Sequence, residues 1–141
     1  MNIMHIGFYR TGTTSLQQNV IKNIKNYIIL GPYSKECKII SKYTNDLSEN
    51  NYINRLQKCK FLLKKNSKYF VSEEGLVGSL NDNYKNVSLR LKFYDELFNN
   101  PTYILTIKFQ KNLIFSSWLK SLTKTNYSFH QYISKNNFVS N

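Results

Sequence analysis

The chain has 141 residues, of which 41% are hydrophobic and 15% aromatic, so it is too apolar to be disordered and long enough to bury a core. Its formal net charge is +12, with 17 lysines, 3 arginines and 8 acidic residues. No recognition helix, zinc-ligand spacing or ribonucleoprotein signature accompanies this charge. We therefore interpret the excess charge as a solvated lysine surface and predict no specific nucleic-acid partner.

Cysteine usage and the N-terminus indicate where the chain resides. Cys37 and Cys59 form no CxxC pair and cannot make a metal site with histidines as distant as His5 and His130. We expect reduced, buried thiols, a hydrogen-bonded core His5 and a surface His130. The N-terminal stretch MNIMHIGF lacks a basic signal region, and no apolar run approaches the ~18 residues of a membrane helix. These features predict a cytoplasmic chain without a membrane span.

Predicted strands and helices alternate along the chain. Short apolar runs predict strands at residues 3–8, 27–30, 68–72 and 102–107. Apolar residues at helical spacing predict helices at about 14–26, from 46 or 48 to 66, and at 87–98, 110–124 and 128–136. Residues 33–45 are ambiguous, and we predict a loop there with no more than one helical turn. The helix that ends near residue 66 is expected to bury Ile53, Leu56, Cys59 and Leu63.

This alternation predicts an α/β fold in which right-handed crossovers build a parallel sheet flanked by helices. We expect a single domain over residues 1–141. Because ligands of such sheets bind beyond the carboxyl ends of the strands, the segments that follow those ends are the candidate sites. These segments are the loop Gly7–Ser15, the run Ser72-Glu73-Glu74, and Lys108 with the helix after it.

The loop GFYRTGTTS, which follows the first strand, has the composition of an anion-binding turn. Glycines between a strand and a helix let backbone N–H groups and the helix dipole converge on one anion. The spacing of Gly7 and Gly12 matches the first half of the Walker A pattern, but Thr13 occupies the lysine position and Thr14 the Ser/Thr position. The cation lies instead within the loop as Arg10, which can donate two hydrogen bonds to phosphate or sulfuryl oxygens without a metal. The loop therefore favours metal-free anion transfer over nucleoside triphosphate hydrolysis.

The segment HIGFYRTGTTSLQ resembles the 5′-phosphosulfate-binding loop of sulfotransferases that use 3′-phosphoadenosine 5′-phosphosulfate (PAPS). Arg10 stands where that family usually has a lysine. The resemblance implies that six residues bind the 5′-phosphosulfate of the donor: Arg10, Thr11, Gly12, Thr13, Thr14 and Ser15.

Two further segments are similar to elements of the same family. In TYILTIKFQKNLIFSSW, Lys108 and Ser116 match an arginine that closes a strand and a serine on the next helix, which together bind the 3′-phosphate of the donor. Lysine in place of arginine substitutes a point charge for a planar fork. The segment YFVSEEGL resembles the Ser-x-Glu-Gly segment of bacterial and carbohydrate-type members, in which a glutamate lies near the acceptor hydroxyl. By position this glutamate is Glu74.

The resemblance implies a three-layer, P-loop-like fold and a metal-free transfer of the sulfuryl group from PAPS to a hydroxyl of a saccharide or glycolipid. Glu74 would act as the general base, and Arg10 would stabilise the leaving phosphate. Members of the family are typically longer, so the chain is expected to correspond to an incomplete, N-terminal sulfotransferase domain, with a homodimer as one way to supply the missing wall. Two alternatives stay open: a truncated, non-catalytic nucleotide-binding relative, and a P-loop kinase or NTPase.

Overall fold

The computed structural model describes residues 1–7, 17–19, 21–78, 86–106 and 110–135. These residues contain four strands: β1 (Ile3–Gly7), β2 (Ile28–Leu30), β3 (Tyr69–Ser72) and β4 (Thr102–Thr106). They also contain five α-helices: α1 (Lys35–Asn45), α2 (Tyr52–Leu62), α3 (Val87–Phe98), α4 (Gln110–Ser121) and α5 (Phe129–Lys135). Residues 17–19 are helical, and 3₁₀ turns occupy Ile21–Asn23, Glu49–Asn51 and Glu74–Val77.

The four strands form one parallel sheet in the order β2-β3-β1-β4. Met4 of β1 is in register with Val71 of β3 and with Tyr103 of β4. The predicted α/β class, a parallel sheet flanked by helices, is therefore confirmed.

The main core lies between one face of the sheet and helices α1, α2 and α3, which pack against one another. Phe93 and Tyr94 of α3 are fully buried, and their rings meet edge to face at 5.9 Å. Tyr94 also donates a hydrogen bond to Leu76 O at 2.9 Å, so its hydroxyl is satisfied inside the core. The sheet contributes Met4, Ile6, Leu30 and Val71 to the same cluster.

The prediction for residues 33–45 is wrong, because helix α1 fills most of this segment. Ser34 is its N-cap, and the Ser34 side chain accepts a hydrogen bond from Cys37 N at 3.3 Å. Cys37, Ile40 and Thr44 are buried at helical spacing. The inward face thus carries a thiol and a hydroxyl beside one aliphatic residue.

Helix α2 also differs from the expected arrangement. Its buried face consists of Tyr52, Leu56 and Cys59, whereas Ile53 is 62% exposed. The Tyr52 ring packs edge to face against Phe93 at 5.6 Å, and its hydroxyl donates to Glu96 Oε1 at 2.9 Å. These contacts with α3 rotate α2 so that Ile53 points outward.

Most of the remaining predicted elements are found with shifted ends. The helix at 87–98 is confirmed at both ends, while the helix predicted at 110–124 stops at Ser121. Helical structure after the first loop ends at Asn23 rather than at residue 26. Non-glycine residues with positive φ in the described part are all asparagines, which tolerate left-handed backbone better than most residues. They are Asn26, Asn66, Asn86, Asn99 and Asn100.

The cysteines and histidines occupy the expected environments. Cys37 and Cys59 are buried free thiols. His5 is buried and hydrogen-bonded, and His130 is exposed. Within the described ranges, no helix is both long enough and apolar enough to cross a membrane.

Candidate functional site

The candidate site is the edge of the sheet where the carboxyl ends of three adjacent strands meet. β1 ends at Gly7, whose register partner is Thr106, the last residue of β4. Ser72, the last residue of β3, pairs with His5 on the other side of β1. The three candidate segments from the sequence directly follow the ends of β1, β3 and β4.

The chain connections diverge at this edge. From β1 the chain continues to β2, on the β3 side of the sheet, whereas from β3 it continues to β4, on the opposite side of β1. Right-handed crossovers place two such connections on opposite faces of the sheet. Adjacent strands whose connections diverge in this way leave a crevice at their carboxyl ends, where ligands of open α/β sheets bind.

A polar network lies on the sheet at this edge. His5 Nδ1 is 2.8 Å from Ser72 Oγ, and His5 Nε2 is 3.4 Å from Thr106 Oγ1. Gln17 Nε2 donates to Ser72 O at 3.0 Å and to Ser72 Oγ at 3.1 Å. Side chains from β1, β3, β4 and the first helical residues after the loop are thereby connected.

The network holds a neutral imidazole and fixes the chain on both sides of the loop. His5 is 1% exposed, and burial lowers its pKa below the usual 6.5, so the ring is uncharged at neutral pH. Gly7 is fixed by its pairing with β4, and Gln17 is fixed by its bonds to Ser72. The sequence did not reveal the roles of Gln17 and Ser72, because the pairing joins residues distant along the chain.

The loop residues themselves lie outside the described residues. This applies to all six predicted donor ligands of the loop, Arg10, Thr11, Gly12, Thr13, Thr14 and Ser15, and also to Lys108. Their roles stay predictions. Ser116, the predicted partner of Lys108, lies in α4, is half-buried, and donates from Oγ to Asn112 O at 2.8 Å.

The acidic pair follows β3 directly. Glu73 is half-buried, and its carboxylate accepts a hydrogen bond from Gly75 N at 3.2 Å. It also lines an open groove of about 390 Å³ together with Cys37, Lys38 and Lys42 of α1. Glu74 begins the 3₁₀ turn Glu74–Val77, and its side chain lies outside the described part of the structure.

Arg90 of α3 braces the turn that begins at Glu74. It is 8% exposed, and its Nη1 makes long hydrogen bonds to Gly75 O at 3.4 Å and Leu76 O at 3.5 Å. Its Nη2 donates to Asn45 O, at the end of α1, at 3.4 Å. Among the described residues, the hydrogen bonds of this buried cation go to backbone carbonyls, and they join α1, α3 and the turn. No local sequence pattern indicated a role for Arg90.

Comparison of the chain with family models, curated proteins and solved structures found no match. Functional assignment therefore depends on the residues and on the geometry of the carboxyl edge. In the part of the chain that the structure describes, no group of three or more histidine, cysteine or acidic side chains could hold a metal ion.

A small cavity of about 230 Å³ opens beside the polar network, on the β2 side of the edge. Tyr33 lies at this cavity and is 84% exposed. Gln17 and Ser72 belong both to the cavity wall and to the network. The other lining residues are Gln18, Ile21, Ile29, Gly31, Pro32 and Ser34.

Proposed function

We propose that the chain is a PAPS-dependent sulfotransferase of P-loop-like, three-layer architecture that transfers a sulfuryl group to a hydroxyl of a saccharide or glycolipid. The observation that carries the proposal is the strand order β2-β3-β1-β4. In this order, the strand that precedes the glycine loop lies between the strand that precedes Glu74 and the strand that precedes Lys108. Three sequence elements that resemble one family thus follow three adjacent strand ends.

Donor binding in this proposal uses two anion sites on neighbouring strands. The loop after β1, with Arg10 at its centre, binds the 5′-phosphosulfate through charge-assisted hydrogen bonds and backbone N–H groups. Lys108, which follows β4, and Ser116 of α4 bind the 3′-phosphate. Two sites separated along the sheet edge fix the orientation of an elongated donor.

The transfer itself requires one base and one cation. Glu74 takes the proton of the acceptor hydroxyl as the acceptor oxygen bonds to sulfur. The bond between sulfur and the 5′-phosphate oxygen breaks in line, and the leaving phosphate takes the electron pair. Arg10 and the N–H groups of Thr13 and Thr14 stabilise the charge that grows on this phosphate.

The chain's compartment and assembly belong to the same proposal. Free, buried Cys37 and Cys59 suit a reducing compartment such as the cytoplasm. The proposal includes a homodimer in which one copy closes the donor site of the other.

Calorimetry with adenosine 3′,5′-bisphosphate tests donor binding directly. We expect this bisphosphate to bind more tightly than 5′-AMP or ATP, with the same affinity in EDTA, because the two anion sites contain only protein cations. Arg10→Ala should weaken binding by about 1.5–3 kcal/mol, the usual contribution of a hydrogen bond to a charged group. Lys108→Arg should maintain or improve it, because the change restores a planar fork.

Two outcomes contradict the proposal. Equal affinity for 5′-AMP and the bisphosphate removes the role of Lys108 and Ser116. Tight ATP binding that requires Mg²⁺ identifies a P-loop kinase or NTPase instead.

A further inference from the structure

The cavity beside Tyr33 is built from a fixed turn and a rigid ring. Ser34 N donates to Gly31 O at 3.0 Å, and Ser34 Oγ donates to the same carbonyl at 2.9 Å. Pro32 restricts the backbone within this turn. Tyr33 is therefore presented on a hydrogen-bonded turn, with 84% of its surface free for a ligand.

The composition of the wall indicates what kind of molecule fits. Ile21, Ile29 and Pro32 supply apolar surface, and Gln17, Gln18 and Ser34 supply hydrogen-bonding groups. Ligand sites typically combine an apolar lining with a few polar groups that fix orientation. A pyranose ring has both characters, since its C–H face can stack on an aromatic ring while its hydroxyls bond to amides. The volume, about 230 Å³, is slightly below the range of about 300–1,000 Å³ for drug-sized ligands, so it suits one ring.

The location of the cavity relates it to the candidate site. The donor's two anion sites are assigned to the segments after β1 and β4, whereas the cavity lies at the ends of β2 and β3. Ser72 of the cavity wall immediately precedes the acidic pair, and Gln17 follows the glycine loop. A ring held here lies against Ser72, which is two residues before the proposed base in the chain, and on the side of β1 opposite to the strand that precedes Lys108.

We propose that this cavity is the acceptor subsite and binds a single pyranose ring of a saccharide, with Tyr33 as the surface on which the ring stacks. This inference rests on the proposed sulfotransferase function. It assigns the acceptor to Tyr33 and the other residues of the cavity wall, among which the sequence had singled out Ser72.

Nuclear magnetic resonance titration of the bisphosphate-loaded chain tests the subsite without requiring turnover. The probes are methyl β-glycosides of glucose, galactose, N-acetylglucosamine and glucuronic acid. We expect at least one to shift the amide signals of Gly31, Ser34 and Ser72. Tyr33→Ala should weaken its binding at least fivefold, and Tyr33→Phe should retain it, since the aromatic face is kept. Phe61→Ala is the matched control, because Phe61 is 90% exposed on α2 and lines no part of this cavity.

The outcomes separate the subsite from the function on which it rests. Shifts at other amides, equal loss in Tyr33→Ala and Phe61→Ala, or no saccharide binding by the bisphosphate-loaded chain each overturn the subsite. Failure of the chain to bind the bisphosphate overturns the sulfotransferase proposal, and the acceptor role of the cavity with it. Bisphosphate affinity of Tyr33→Ala equal to that of the wild type shows that the variant is folded and that its defect is confined to the saccharide.

Discussion

His5 Nδ1 lies 2.8 Å from Ser72 Oγ, across the pair formed by β1 and β3. Both residues are at most 1% exposed, and they are 67 positions apart in the chain. Buried polar groups are satisfied by such bonds because water does not reach them. One face of the central strand thus buries Met4 and Ile6 in the apolar core, and the other carries the hydrogen-bonded network of His5.

Ser72→Ala should lower the free energy of unfolding by about 1–3 kcal/mol. The change removes a hydrogen-bond partner of His5 and one of two acceptors of Gln17, and a buried group without a partner carries this cost. Urea denaturation measures the difference. Ser134→Ala is the control, because the Ser134 hydroxyl is exposed and should change stability by no more than about 0.5 kcal/mol. Equal effects of the two changes would contradict the importance of the network.

Stability should fall as the pH is lowered below about 6.5, and His5 should cause part of this fall. Burial holds the pKa of His5 below its ordinary 6.5, so the unfolded chain takes up a proton at a higher pH than the folded chain does. The contribution is fully present above the unfolded pKa and is lost as the pH falls through the folded pKa.

Urea denaturation between pH 5 and pH 7.5 measures this dependence on acidity. His5→Gln should flatten the profile below pH 6.5, whereas His130→Gln should leave it unchanged, since His130 is exposed. If the stability of His5→Gln depends on pH with the same slope as that of the wild type, groups other than His5 cause the pH dependence.

Both cysteines should resist thiol reagents in the folded chain. Burial raises the pKa of Cys37 to about 12, with a smaller contribution from Glu73, and raises that of Cys59 to about 11. The reactive species is the thiolate, which is scarce at pH 8 when the pKa is this high. The rate of reaction with Ellman's reagent should therefore be limited by the rate at which the native protein opens. In urea the reaction should go to completion. Rapid labelling of the native chain would contradict the burial of these thiols.

Arg90→Gln should loosen the turn that carries the backbone of Glu74. Loss of the guanidinium leaves Gly75 O and Asn45 O without their long hydrogen bonds. We therefore expect the free energy of unfolding to fall by about 1.5–3 kcal/mol. The hydrogen exchange of Gly78 N, which donates to Gly75 O, should accelerate. Arg55→Gln is the matched control, since Arg55 is half-buried and donates to a carbonyl outside this turn, Tyr43 O. Unchanged hydrogen exchange of Gly78 N in Arg90→Gln would contradict the role of Arg90 in holding this turn.

Glu74→Gln should lower kcat for sulfuryl transfer by about two to four orders of magnitude, the usual contribution of a general base, and leave bisphosphate affinity unchanged. Glu73→Gln is a matched control, because the amide oxygen of glutamine can still accept the hydrogen bond from Gly75 N. The measurement is radiolabelled transfer from PAPS to saccharide acceptors.

Each other result of that transfer assay has a definite meaning. Full activity of Glu74→Gln, or loss of activity only in Glu73→Gln, would place the base elsewhere. Bisphosphate binding without transfer by the wild type would identify a non-catalytic relative.

Local sequence patterns predicted the strands, because short apolar runs bounded by polar residues suffice to indicate them. They missed α1, although Ser34 as an N-cap and the spacing of Cys37, Ile40 and Thr44 were present as signals. Of these three buried residues, only Ile40 is aliphatic.

Contacts between elements were beyond the reach of the same patterns. In α2, Tyr52 and Ile53 fit the helical spacing equally well, and only the contact of Tyr52 with Phe93 decides which one is buried. At the site, composition predicted an anion-binding loop, and that role stays a prediction. Strand register, which brings Ser72 to His5, arises from pairing of distant segments and could not be read locally.

The asparagines with positive φ have a consequence for how this chain tolerates mutation. Glycine codons begin with two guanines, whereas asparagine codons consist mostly of adenine and thymine, so a genome that drifts toward adenine and thymine depletes the residue that left-handed backbone prefers. Asparagine adopts this conformation at a low cost among residues with a side chain. The five asparagines in left-handed backbone thus let helix ends and turns form in a chain with only five glycines.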